Sequence, residues 1–243
     1  MESAPDALKR ILDRIGKAAA RAGRHPGDII LVAVTKTYSL ERVRPFIQAG
    51  IRHVGENRVQ EALEKYTVGR ETWNVRPNFH LIGPLQANKS KKAVAFFDMI
   101  QSLDRWELAE DLNRHAGTFG KTLDCLVQVK ISDEASKSGL DPTQISEFLV
   151  RVSALPNLRL RGLMGIPPLA AQAEAARPYF QRLRRMFEEA SDVPRSTFNV
   201  LSMGMSSDFE IAIEEGSTMV RIGTALFGAR GYPDPPVKRG NAI

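Results

Sequence analysis

Two features of this chain could act chemically on one ligand: a lysine that closes an apolar run, and two stretches rich in glycine and hydroxyls near the carboxyl end. Lys36 ends residues 29–36, Ile-Ile-Leu-Val-Ala-Val-Thr-Lys. This segment has the length and β-branched composition of a strand buried on both faces. Functional groups in α/β folds gather at the carboxyl ends of strands, which is where Lys36 falls. An amine there has two readings. Burial favours the neutral form that attacks a carbonyl, whereas a charged lysine reaches solvent or pairs with a carboxylate.

The second feature comprises Ser202-Met203-Gly204-Met205-Ser206-Ser207-Asp208 and Arg221-Ile222-Gly223-Thr224. Glycines let a backbone approach closely, hydroxyls donate to phosphate oxygens, and a helix starting near Ser207 would turn unpaired N–H groups toward an anion. Each part also has an ordinary use. Ser206 or Ser207 would serve as an N-cap, and Gly223 as a turn residue.

Hydrophobic periodicity supplies the elements that must position these residues. Residues 7–22 predict an amphipathic opening helix. Strands are then predicted at 29–36, 52–55, 79–83, 99–103, 123–131, 158–164, 198–203 and 219–227. Between them, helices are predicted at 40–49 (with Ser39 as N-cap), 57–66, 88–97, 106–115, 143–155, 171–190 and 208–215. This beat predicts an α/β fold: a single (β/α)8 TIM-type barrel over 1–243 with an extra N-terminal helix. The two hydroxyl-rich stretches then end or follow the last two strands, where barrels commonly hold phosphate. The proline-rich, basic tail 231–243 is expected to fray.

Composition narrows the classes. The chain has 243 residues, 43% of them hydrophobic, enough for one large core. Its 34 basic and 28 acidic residues give a net charge of +6, an excess that fits an anionic ligand or mere solubility and does not itself argue for nucleic acid. Cys125 is the lone cysteine, so no internal disulfide can form, and its apolar neighbours predict a buried structural thiol. The amino terminus lacks a signal-peptide core and no run approaches the ~20 apolar residues of a membrane span, so a cytoplasmic protein without a membrane partner is expected. No His and Cys spacing suggests a metal, and no serine nucleophile elbow is present.

An amine at one strand end and a phosphate cradle at two others match one common ligand, pyridoxal 5'-phosphate (PLP), which needs both. Further stretches point the same way: Val32-Ala33-Val34-Thr35-Lys36, Gly55-Glu56-Asn57-Arg58-Val59-Gln60-Glu61, Phe79-His80-Leu81-Ile82-Gly83-Pro84-Leu85-Gln86-Ala87-Asn88-Lys89, Ser136-Lys137-Ser138-Gly139-Leu140, Gly162-Leu163-Met164, Leu201-Ser202-Met203-Gly204-Met205-Ser206 and Val220-Arg221-Ile222-Gly223-Thr224-Ala225-Leu226-Phe227-Gly228. Through them the sequence resembles the pyridoxal phosphate homeostasis proteins, whose barrel is similar to the N-terminal domain of alanine racemase. The resemblance spans nearly the whole chain. It implies that Lys36 carries PLP as a Schiff base, and that Ser202, Gly204, Ser206, Gly223 and Thr224 surround the phosphate. It also implies that Arg221 stands beside the pyridine nitrogen and Asn57 near the ring. The family often has asparagine at the end of the fifth strand, where this chain has Lys130.

A guanidinium donates but has no acceptor, so Arg221 beside the pyridine nitrogen would leave that atom unprotonated and the ring a poor electron sink. Racemisation needs an acid and a base on opposite faces of the substrate carbon. In alanine racemase the second group is a tyrosine from a C-terminal β-domain, and this chain ends soon after its eighth predicted strand. Tyr38 is close to Lys36 in sequence and would share its side of the ring. The expectation is a non-catalytic PLP-binding protein that buffers the cofactor and passes it to apo PLP-dependent enzymes. A weak amino-acid racemase is the alternative, and an interaction module stabilised by the cofactor a third reading. Lys89, Lys91 and Lys92 read as a solvated helix face or an anion-attracting rim. Lys137 reads as a second reversible amine or a loop charge, and His80 as a hydrogen-bonded core or rim histidine rather than a general base.

Overall fold

The computed structural model describes residues 2–67, 75–132, 138–168, 171–190 and 197–228. Lys137 and the tail 231–243 lie outside the described residues.

The helix α1 (Ala4–Arg21), capped by the Ser3 side chain, comes first. The alternation follows as β1 (Ile30–Val34), α2 (Leu40–Gln48), β2 (His53–Glu56), α3 (Val59–Thr67), β3 (Asn78–Leu81), α4 (Ser90–Phe96), β4 (Met99–Leu103), α5 (Trp106–Thr118) and β5 (Leu123–Val129). It continues through α6 (Ile145–Ser153), β6 (Leu158–Gly165), α7 (Arg177–Glu189), β7 (Val200–Ser202), α8 (Phe209–Glu214), β8 (Met219–Ile222) and α9 (Thr224–Phe227). The strands close into a barrel in chain order, β8 pairing parallel with β1. The (β/α)8 architecture and the added N-terminal helix are therefore as the sequence predicts, and Ser39 caps α2 as expected.

Strand alternation divides the core in two. One side chain set, including Leu31, Ala33, Val54 and Phe79, packs between the barrel and its helices. The other, Val32, Met99, Leu126, Met164, Val200 and Met219, fills the barrel. Such layers make a packed interior rather than a pore, so ligand chemistry is confined to the mouth. Cys125 is fully buried in the outer set, and burial pushes its thiol above its usual range.

Five strands, the first, third, fifth, seventh and eighth, end earlier than their apolar runs predict. The eighth stops at Ile222, because Gly223 leaves extended geometry (φ −115°, ψ −83°) and Thr224–Phe227 coil into one helical turn. That turn remains apolar because Leu226 and Phe227 insert into the core. Because α9 is so short, α1 takes the place of a full eighth helix by packing on α2, α8 and α9. The first strand stops at Val34, two residues before Lys36.

Candidate functional site

The residues around Lys36 form a tight turn. Tyr38 N donates to Thr35 O at 3.1 Å, with Lys36 and Thr37 between them. Thr37 has φ 69°, the sole positive value among the described non-glycine residues. A left-handed conformation costs a residue with a Cβ about 1–2 kcal/mol, so the surroundings must enforce it. They do so through α3, whose Glu61 accepts from Thr37 N at 2.6 Å. Lys36 is half-buried at this turn.

The hydroxyl-rich loops after β7 and β8 converge. Ser206 Oγ accepts from both Gly223 N and Ala225 N at 3.2 Å, so two backbone donors aim at a single oxygen position. Arg221 N donates to Gly204 O at 3.0 Å and ties the loops together. Gly204 is required there: its φ is 91°, and a Cβ would lie 2.5 Å from Ala212 Cβ and 2.9 Å from Phe209 Cα. Asp208 closes the first loop by accepting from Met205 N at 2.6 Å. Burial raises its carboxyl pKa, while the Met205 hydrogen bond and the nearby Arg221 charge oppose the rise. Thr224 opens α9 and is exposed. This cradle adjoins the lysine turn, since a Cβ on Gly223 would stand 3.3 Å from Val34 O.

Arg221 lies inside the barrel, only 4% exposed. Burial depresses its guanidinium to about 10, still far above neutral pH, so it remains charged. It donates to Ser202 Oγ at 2.6 Å and to Gly165 O at 3.0 Å. Ser202 Oγ then donates to Gln101 Oε1 at 2.7 Å, and Gln101 Nε2 meets His80 Nδ1 at 3.0 Å. His80 Nε2 in turn meets His53 Nδ1 at 3.0 Å. Because the Gln101 amide nitrogen can only donate, His80 accepts on Nδ1, carries its proton on Nε2 and donates to Nδ1 of His53. The chain crosses the interior from β8 through β7, β4 and β3 to β2. Burial drives His80 down to about 3, and it lowers His53 as well. His80 is thus a neutral, hydrogen-bonded core histidine, one of the two roles its sequence context allows.

Ser202 and Ser206, equivalent in the sequence reading, occupy different surroundings. Ser206 sits between the loops, while Ser202 is fully buried with its one proton given to Gln101. Gln101, His53, Glu56 and Lys65 did not emerge from the sequence as site residues. Their one signal is polarity within buried apolar strands or on an inward helix face.

Asn57 follows β2 and is half-buried; a Cβ on Gly83 would stand 2.3 Å from Asn57 O, so this glycine sets how closely the loops after β2 and β3 approach. Asn57 lines a cavity of about 190 Å³ with Gln128, Lys130, Ser132 and Ile166. Asn57 and Ser138 also border a groove of about 720 Å³ that includes Arg58, Lys89 and Arg105. Lys89 therefore faces this groove, while Lys91 and Lys92 are exposed. Among the described residues no cluster of three or more His, Cys, Asp or Glu could hold a metal ion, and no helix is long and apolar enough to cross a membrane.

The family described as alanine racemase, N-terminal domain, matches residues 7–231. The pyridoxal phosphate homeostasis protein of Aquifex aeolicus is 41% identical over 230 residues, 95% of this chain and 100% of that protein. This chain belongs to the pyridoxal phosphate homeostasis protein family. Among solved structures, this family member is similar to PipY of Synechococcus elongatus with PLP bound, at a TM-score of 0.77 and 38% identity, covering 88% of this chain and 100% of PipY. Alanine racemase of Clostridium difficile shares the fold, with a TM-score of 0.71 at 15% identity over 94% of this chain and 58% of the racemase.

Proposed function

We propose that this chain holds PLP as a Schiff base on Lys36 and serves PLP homeostasis in the cytoplasm, buffering the aldehyde and passing it to apo-enzymes without substantial catalysis. One observation carries the reading. The turn bearing Lys36 follows β1 and the amides of Gly223 and Ala225 that converge on Ser206 Oγ follow its paired neighbour β8, which supports an amine and an anion cradle acting on one ligand. The homeostasis proteins to which the chain is similar, and PLP-bound PipY, support it.

Bound there, PLP would supply an aldehyde for an amine and a pyridine ring able to draw electrons. Lys36 would supply the amine for that aldehyde, with water as the leaving group, in a linkage that another amine could reverse. Gly204, Ser206, Gly223 and Thr224 would hold the phosphate through backbone N–H groups and hydroxyls. Ser202 belongs to the same site from beneath, fixing Arg221. Arg221 would donate to the pyridine nitrogen without protonating it and so leave the ring a weak electron sink, and Asn57 would border the ring. A racemase would need a second base opposite Lys36. Tyr38 is a poor candidate, since its hydroxyl donates to Gly228 O at 2.7 Å and its ring packs on Phe227.

Borohydride reduction followed by peptide mass spectrometry tests the reading. A pyridoxyl group on Lys36, a visible band in wild type and its absence from Lys36→Ala are expected. Label confined to other lysines would reject it. Delivery is tested separately, as reactivation of an apo-transaminase faster than by PLP released into a trapping pool.

A further inference from the structure

The stretch Gly55–Glu61 carries two carboxylates that the cofactor reading leaves unused. Both act on the turn that bears Lys36, from the α3 side. Lys65 Nζ donates to Thr35 O at 2.7 Å, to Glu56 Oε1 at 2.8 Å and to Glu61 Oε1 at 3.2 Å. Glu61 Oε1 also accepts from Thr37 N, and Glu56 Oε1 accepts from Thr35 Oγ1 at 2.6 Å. Tyr66 OH donates to the same Thr35 Oγ1 at 2.7 Å.

We propose that Glu61 and Lys65 are positioning residues that set where the Lys36 amine stands, by clamping both chain neighbours of Lys36 to α3. The inference rests on Lys36 being the PLP-bearing lysine. Thr35 is held through its carbonyl and hydroxyl, Thr37 through its amide, and Lys36 is suspended between them. The second central residue of a turn with positive φ is ordinarily glycine or asparagine, and a β-branched threonine does not stay there unaided. The bond from Thr37 N to a carboxylate is charge-assisted and supplies the restraint. Without it, Thr37 relaxes toward negative φ, the peptide planes on either side rotate, and the Lys36 side chain leaves at a different angle. Lys65 completes the device. Its ammonium spends all three protons on Thr35, Glu56 and Glu61 and offers no lone pair to an aldehyde, so this neighbouring lysine supports Lys36 rather than competing with it.

Lys65 is nearly buried and its removal would strand the Glu56 carboxylate, so the test uses Glu61, which is more exposed. Full-length wild type, Glu61→Ala, Glu61→Gln, Thr37→Gly and the Glu61→Ala, Thr37→Gly pair are mixed with PLP. The growth of the visible band and its pH titration are followed, with Lys36→Ala as blank. Glu61→Ala is expected to weaken and slow capture roughly tenfold, the counterpart of one lost bond to a charged acceptor, with the apo melting temperature little changed. Glu61→Gln keeps an acceptor oxygen and most of the capture. Thr37→Gly restores capture in the Glu61→Ala background, because glycine adopts positive φ freely. Capture by Glu61→Ala equal to wild type, or no rescue by Thr37→Gly, overturns the positioning role while leaving the cofactor reading intact. A wild type without a Lys36 adduct overturns both. Should Glu61→Ala not fold, amide exchange in wild type decides: Thr37 N–H is expected to be protected, and exchange at the unprotected rate overturns the clamp.

Discussion

Arg221 donates to Ser202 Oγ at 2.6 Å, and that hydroxyl in turn donates to Gln101 Oε1. Ser202 is thereby a link between a buried cation and an interior amide, while Ser206, four residues on, faces the loop amides of Gly223 and Ala225. The two serines belong to one sequence motif and to different physical problems.

Ser202→Ala should therefore behave as a core mutation. It leaves a guanidinium N–H and an amide oxygen buried and unpaired, at a cost of about 1–3 kcal/mol in urea unfolding of the apo-protein. Ser206→Ala, at a half-buried loop position, should cost less than about 1 kcal/mol and instead weaken binding of PLP and of inorganic phosphate. Equal stability losses in the two variants would contradict this division.

His80 makes stability depend on pH. Its ring sits inside the barrel and burial drives its pKa from 6.5 down to about 3. Above pH 6.5 the ring is neutral whether the chain is folded or not. Between there and about pH 3 only the unfolded chain takes up the proton, so stability falls as pH falls, by up to about 1.4 kcal/mol per pH unit. His53, also depressed by burial, acts in the same direction. Urea midpoints at about pH 7.5 and about pH 5 should show the loss, and His80→Gln should flatten the slope by about one proton.

Much of this was legible in the sequence. Apolar runs bounded by turn residues marked all eight strand positions because both faces of a parallel strand are buried. Their ends were not, since Leu226 and Phe227 are as apolar in a one-turn helix as they would be in a strand. Lys36, Gly204, Ser206 and Gly223 stood out because each is a residue type that a strand end seldom needs for packing alone. Gln101 and Lys65 stayed hidden because their partners are distant in sequence: Gln101 bonds Ser202, and Lys65 bonds Thr35. Such pairings arise only when the barrel closes.

Gly204→Ala tests the loop geometry. An added Cβ meets Ala212 Cβ and the Phe209 backbone at less than 3 Å, on a residue whose φ is 91°. Relief requires α8 to move away, and with it the loop whose Ser206 faces Gly223. A stability loss of about 1–3 kcal/mol and weakened phosphate binding are expected together, by thermal melting and titration respectively. Alanine tolerated with full phosphate affinity would mean that the loop is not set by this contact.

Tyr38 decides between carrier and racemase. Its hydroxyl donates to Gly228 O, and its ring centroid lies 4.9 Å from that of Phe227, so both ends of the side chain hold α9 against the start of α2. In that role Tyr38→Phe removes one exposed hydrogen bond and costs no more than about 0.5 kcal/mol by urea unfolding, with PLP capture on Lys36 preserved. A tyrosine serving as the second base of a racemase would behave otherwise, because its removal would abolish exchange of the amino-acid α-proton. Wild type and Tyr38→Phe incubated with L-alanine in deuterated water should give the same slow α-proton exchange, read by proton NMR. Rapid exchange in wild type that vanishes in the variant would assign this hydroxyl to catalysis and overturn the proposal of a non-catalytic carrier.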